Sequence, residues 1–209
     1  MHKKEELIQN FKTAIASTTK SVSNVKDIEV IFGNEKLKTN KKIIKLPDLE
    51  SINDKIDYTK ARALADSEAL KVRYSNEKIL KTYEPEGNIS KKLYHIAEKI
   101  RYEKLGSVEF KGIKNNIDKF YNEKLEKTEF EKNENKYIDA FENYLRSNIF
   151  NYKNNKNYKS FKKEFDEKLK KSLKPLNSLV KDQLKFNSMM SGLISEMEIE
   201  EDTNDEQKK

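Results

Sequence analysis

The sequence predicts a mainly α fold (α+β): a helical bundle carrying one small β-hairpin near residues 25–46, followed by an acidic disordered C-terminal tail. Three observations carry this expectation. Apolar residues recur at helical spacing over most of the chain. One stretch, Ile28 to Phe32, instead alternates in the way a half-buried strand does, and Gly33-Asn34 follows it as a turn. From Glu196 the apolar period fades and acids crowd together. A chain of 209 residues fits one domain, expected over residues 1–195, with 196–209 as a disordered tail or the start of a linker.

The elements follow in order. Leu7, Ile8, Phe11, Ala14 and Ile15 mark an amphipathic helix over residues 3–18. Ile28, Val30 and Phe32 mark the first strand; Ile43, Ile44 and Leu46, closed by Pro47, mark the second. The two should form a hairpin, which is marginal alone and must pack on the helices. A helix is expected over 54–74, its buried side marked by Tyr58, Ala61, Ala65, Ala69, Leu70 and Val72. Pro85-Glu-Gly87 breaks the chain, and Asn88 or Ser90 caps a helix with Leu93, Tyr94, Ala97, Ile100 and Leu105 on its apolar face. Gly106 is placed to end that helix as a C′ glycine. Gly112 opens the next segment, with Ile113, Ile117, Phe120 and Tyr121 on one side.

Polar residues 122–135 are expected to include a loop. Tyr137, Phe141, Tyr144, Leu145 and Ile149 then mark a helix. An exposed connection is expected over 151–159, and Phe161, Phe165 and Leu169 follow at i, i+4, i+8. Pro175 suits the first turn of a last helix running through Leu176, Leu179, Val180, Gln183, Leu184, Met190, Leu193 and Ile194.

Composition excludes several function classes. Without cysteine there is no disulfide, zinc-thiolate site, iron–sulfur cluster or cysteine nucleophile. No run of about 18 apolar residues offers a membrane span, and the first residues do not read as a signal peptide, so the chain is expected to be cytoplasmic. No G-x-x-x-x-G-K-[ST], G-x-G-x-x-G or G-x-S-x-G sequence occurs, which argues against an ATPase motor or a hydrolase elbow. The net charge of +7 conceals an asymmetry: residues 196–209 hold seven acids and two lysines, so the body before them carries +12. That balance admits a nucleic-acid-binding alternative, but the lysines are interleaved with Glu rather than gathered in a stripe.

Few residues offer chemistry. His95 precedes Glu98 by three positions on one helix face, yet one such pair falls short of a metal site. The constellation singled out is Arg62, Asp66 and Arg73, with Arg101 and Glu103. Arginine is scarce in a chain that uses lysine almost everywhere, and an arginine kept against that bias suggests planar, bidentate pairing. Arg62 and Asp66 are i, i+4, and Asp66 to Arg73 is seven residues, again one face. Two readings stand: a charged docking surface, or an interhelical ion-pair network that fixes packing. Packing is the stronger reading for at least some of these arginines.

The segment Arg62-Ala-Leu-Ala-Asp66-Ser-Glu-Ala69-Leu70-Lys-Val72-Arg73-Tyr74 resembles the Arg-Gly-x-Ala-Asp-x-x-Ala-Leu-x-x-Arg-Tyr run near the N-terminus of CobT, a subunit of the aerobic cobaltochelatase. Ile28-Glu-Val-Ile-Phe-Gly33, Leu46-Pro47, Pro85, and the block Glu98, Arg101, Glu103, Leu105, Gly106, Gly112, Asn116, Ile117 are similar to the same family, as are Asp182, Gln183 and Phe186 near the end. Ala63 departs from the family's glycine, Asn76 stands where histidine or aspartate is common, and residues 122–172 align poorly. The family's D-x-S-x-S signature of a von Willebrand factor A domain is absent, so the chain is expected to be the N-terminal domain alone. The resemblance implies a non-catalytic assembly or docking subunit, working with a CobS-like AAA+ ATPase and a CobN-like large subunit to insert cobalt into hydrogenobyrinic acid a,c-diamide. It implies no cofactor in this chain; ATP, Mg²⁺ and cobalt belong to the whole complex. The alternatives are a basic helical nucleic-acid-binding protein and an interaction domain for another AAA+ complex.

Overall fold

A computed structural model describes residues 2–34, 39, 41–48, 55–127, 135–152 and 160–199. They form a mostly helical molecule with one two-stranded sheet, and the chain divides into two compact units. No helix among the described residues is long and apolar enough to cross a membrane.

Unit 1 draws on residues 1–74 and 106–123. It contains α1 (His2–Ser23), β1 (Ile28–Phe32), β2 (Lys42–Leu46), α2 (Lys55–Tyr74), the last turn of α4 (Asn88–Glu109) and most of α5 (Lys111–Lys127). Along α1, Ile8, Phe11 and Ile15 fall on one stripe, which the 3.6-residue period turns toward the sheet. Ile28 and Phe32 of β1 and Ile44 and Leu46 of β2 meet Ile15 and Ala65 in its core, with Ala61 and Val72 of α2 packed beside them. Each fully buried Ile or Phe here contributes about 1.5–3 kcal/mol relative to exposure.

The two strands lie where the alternation placed them, but they pair parallel, not as the hairpin expected from the sequence. The register sets Ile28 against Lys42, Val30 against Ile44 and Phe32 against Leu46. A tight turn forces antiparallel pairing. Here residues 33–41 separate the strands, and about 3.3 Å per extended residue lets that link run back along a five-residue strand. Gly33 leaves β1 at φ +62°, which suits glycine, and its N–H donates to the Leu46 carbonyl at 2.8 Å.

Gly106 does not end α4, which continues to Glu109. Its role is close approach: a Cβ there would lie 2.3 Å from Leu70 Cδ2, so only glycine lets α4 pack against that leucine. α5 runs to Lys127, into the polar region 122–135 expected to include a loop. Residues 128–134 lie outside the described residues, as do 153–159 of the expected connection.

Unit 2 draws on residues 75–105 and 124–209. It contains α3 (Glu77–Thr82), the main part of α4, α6 (Asn135–Phe150), α7 (Lys162–Leu169), a 3₁₀ turn (Lys170–Ser172), α8 (Leu173–Ser178) and α9 (Gln183–Ser195). Its core gathers Leu93, Tyr94, Ala97 and Ile100 of α4, Phe141, Tyr144, Leu145 and Ile149 of α6, and Phe186, Met190 and Ile194 of α9. Phe165 of α7 is fully buried among Tyr137, Phe141, Tyr144 and Phe161, with ring centroids 5.2 to 6.1 Å apart.

The expected last helix is in fact two. Pro175 sits within α8, which stops at Ser178, and α9 restarts after Asp182, whose carboxylate accepts from the Lys185 N–H at 3.1 Å. The Asn/Asp type of N-cap explains the restart at this residue. Met197, inside the expected tail, is buried in the unit 2 core with Ile199 against it. Residues 200–209 of that tail lie outside the described residues.

Candidate functional site

Asp66 is the centre of the unit 1 site. It sits on the inner face of α2, one residue after Ala65, and only 6% of it is exposed. The Asn116 side-chain amide on α5 donates to Asp66 Oδ2 at 2.8 Å. Burial pushes the Asp66 carboxyl up to about 6, against the pull of the Asn116 hydrogen bond and the Arg62 charge. Beside it lies a half-enclosed cavity of about 200 Å³. Phe11, Ala14, Ile15, Thr18 and Thr19 of α1 line one side, at the i, i+3, i+4 spacing of a single face. Ala65 and Arg62 of α2 complete it.

Arg62 is exposed, and its guanidinium lies over the Phe11 ring, 5.4 Å from the centroid. It forms no ion pair among the described residues. Arg73, expected on the same network, is engaged elsewhere in unit 1. Its Nη2 donates to Glu109 Oε1 at 2.6 Å, its Nη1 to the Val22 carbonyl at 3.2 Å, and its Nε to the Tyr74 hydroxyl at 3.0 Å. Tyr74 also donates to Glu109. Arg62, Asp66 and Arg73 thus share a helix but not a network: Asp66 answers Asn116, and Arg73 answers Glu109.

Arg101 and Glu103 belong to unit 2, where each enters a separate buried ion pair. Arg101, 1% exposed, donates Nε and Nη2 to the two oxygens of Glu98 at 2.7 and 2.8 Å, a bidentate fork that lysine could not make. Its Nη1 reaches the Val180 carbonyl at 3.0 Å. Glu98 Oε1 also accepts from Ser75 Oγ at 2.7 Å and Gln183 Nε2 at 3.1 Å. Gln183 in turn holds the Asn76 backbone, accepting its N–H at 2.7 Å and donating to its carbonyl at 3.1 Å. The Asn76 side chain caps α3. Glu98, Ser75, Arg101 and the Asn76 backbone are thereby tied to Gln183 at the start of α9.

Glu103, 1% exposed, pairs with Arg146 Nη1 at 2.7 Å. Arg146, fully buried, donates Nε to Glu142 at 3.0 Å, and Glu142 accepts from Lys124 at 3.0 Å. Burial pushes the Glu142 carboxyl up, but Arg146 and Lys124 outweigh it and bring it down to about 2. Sequence reasoning missed Arg146, Glu142 and Glu109. The scarcity of arginine that singled out the other three would have found Arg146; its position on α6 outside the resembling blocks hid it.

His95 pairs with Glu84 at 2.6 Å on the surface, while Glu98 faces Arg101, so the His95–Glu98 spacing assembles no joint site. Among the described residues, no group of three or more His, Asp or Glu side chains is placed to hold a metal ion. No solved structure is significantly similar to the chain. The family described as cobalamin biosynthesis protein CobT matches residues 5–209, almost the full length. The chain therefore belongs to the CobT family of cobalamin biosynthesis.

Proposed function

We propose that the chain is a docking and assembly subunit of an ATP-dependent cobaltochelatase, working with a CobS-like AAA+ ATPase and a CobN-like large subunit, with cobalt and hydrogenobyrinic acid a,c-diamide as substrates of the complex. The observation that carries this reading is the family match over residues 5–209. The arrangement of the arginines supports it. Arg73, Arg101 and Arg146 are consumed in ion pairs that fix packing. Arg62 is left exposed on an aromatic ring beside a cavity, where a partner can reach it.

The test is reconstitution. Cobalt insertion is measured with the large subunit, the AAA+ subunit and ATP, with and without this chain. Insertion should depend on the chain, and Arg62→Glu should lower it while leaving the melting temperature unchanged. Equal insertion without the chain would overturn the proposal.

A further inference from the structure

We infer that the cavity beside Asp66 in unit 1 is a socket for a lysine or arginine side chain of a partner protein, with the Asp66 carboxylate as counter-charge. The inference rests on the docking reading above for the source of that base.

The cavity's size comes first. At about 200 Å³ it holds several water volumes of about 30 Å³ each, but it falls below the roughly 300–1,000 Å³ of cofactor-sized pockets. One long side chain suits that space. Its lining is divided in the way a basic side chain is divided. Ala14, Ile15 and Ala65 offer apolar walls for an aliphatic stem, and Asp66 offers an anion for the head.

Charge makes the stronger argument. A carboxylate that is 6% exposed is costly unless a cation meets it. Asp66 has one hydrogen bond among the described residues, from the neutral Asn116 amide to Oδ2. Arg62 acts on it through its charge but rests on Phe11 without an ion pair among the described residues. With the carboxyl lifted to about 6, most of it is ionised at neutral pH. Every other buried carboxylate described above, Glu98, Glu103 and Glu142, has a guanidinium at ion-pair distance. Asp66 has instead a cavity of the right size. Arg62 at the mouth is solvent-exposed, so its repulsion of an incoming base is screened.

The experiment titrates the full chain with N-acetyl-lysine methylamide, following the Asn116 side-chain amide by NMR, with N-acetyl-norleucine methylamide as the uncharged control. The lysine probe should shift the Asn116 amide with a dissociation constant on the order of millimolar, and the norleucine probe should not. Asp66→Asn keeps the shape and should abolish the shift. Ala14→Leu keeps the charge, changes an exposed position, and should block entry. No shift in the unaltered chain, or an equal shift in Asp66→Asn, would overturn the socket. Capture of the AAA+ subunit separates this from the docking reading. Capture weakened about 30-fold or more by Asp66→Asn, with folding retained, supports the socket. Undiminished capture by Asp66→Asn refutes the socket and leaves docking intact. No capture by the unaltered chain refutes docking, and the lysine titration then decides the socket by itself.

Discussion

Asp66 and Arg146 show how differently two buried charges act. The folded-state pKa of Asp66, about 6, lies above its ordinary value of 3.8, so between those pH values the folded protein keeps a proton that the unfolded chain releases. Stability from this residue is therefore fullest below about pH 4, falls as pH rises toward 6, and is level above. Asp66→Asn should raise stability by about 1–3 kcal/mol at pH 7.5 and by little at pH 4, measured by denaturant unfolding at both. Arg146 is the opposite case. Arg146→Met would leave Glu103 and Glu142 buried without their shared cation and should cost about 3–5 kcal/mol in the same measurement. The sequence made Arg62, Asp66, Arg73, Arg101 and Glu103 visible through the rarity of arginine and the family's spacing. It did not reveal their partners. Glu98 for Arg101 is local, three residues away, but Glu109 for Arg73 and Arg146 for Glu103 are brought together only by packing within each unit.

At the scale of elements, the helices were legible because each buries one stripe at a 3.6-residue period. The strands were legible because Ile28, Val30 and Phe32 alternate. Their parallel sense was not, since either sense can bury the same faces and the choice lies in how the chain returns through residues 33–41. Gly106 misled for a related reason. Glycine is a common helix stop, but here a side chain from another helix occupies the space its Cβ would need. Gly106→Ala should therefore destabilise by about 1–3 kcal/mol through overpacking against Leu70, despite alanine's better helix propensity, with recovery in the double variant with Leu70→Ala. A melting temperature that rises in the single variant would contradict this packing.

Charge is the property of the whole molecule that composition reads most directly, and it can mislead. The body before residue 196 carries +12, yet lysines pair locally with acids, as in Lys20 and Lys41 with Glu29, Lys162 with Asp166 and Lys185 with Asp182. Nucleic-acid affinity should accordingly be weak, indifferent to sequence and steeply lowered by salt, which fluorescence anisotropy at two ionic strengths checks. The family, by contrast, was legible from resembling residues that stand in β1, α2, α4, α5 and around the start of α9, and its match runs over residues 5–209. The proposed docking role is tested most directly by co-elution of the full chain with a CobS-like AAA+ ATPase in the presence of ATP on size-exclusion chromatography. A shared, high-mass peak is expected, which Arg62→Glu dissolves and Gly106→Ala, where folded, retains. Separate elution of the two unaltered proteins would contradict it.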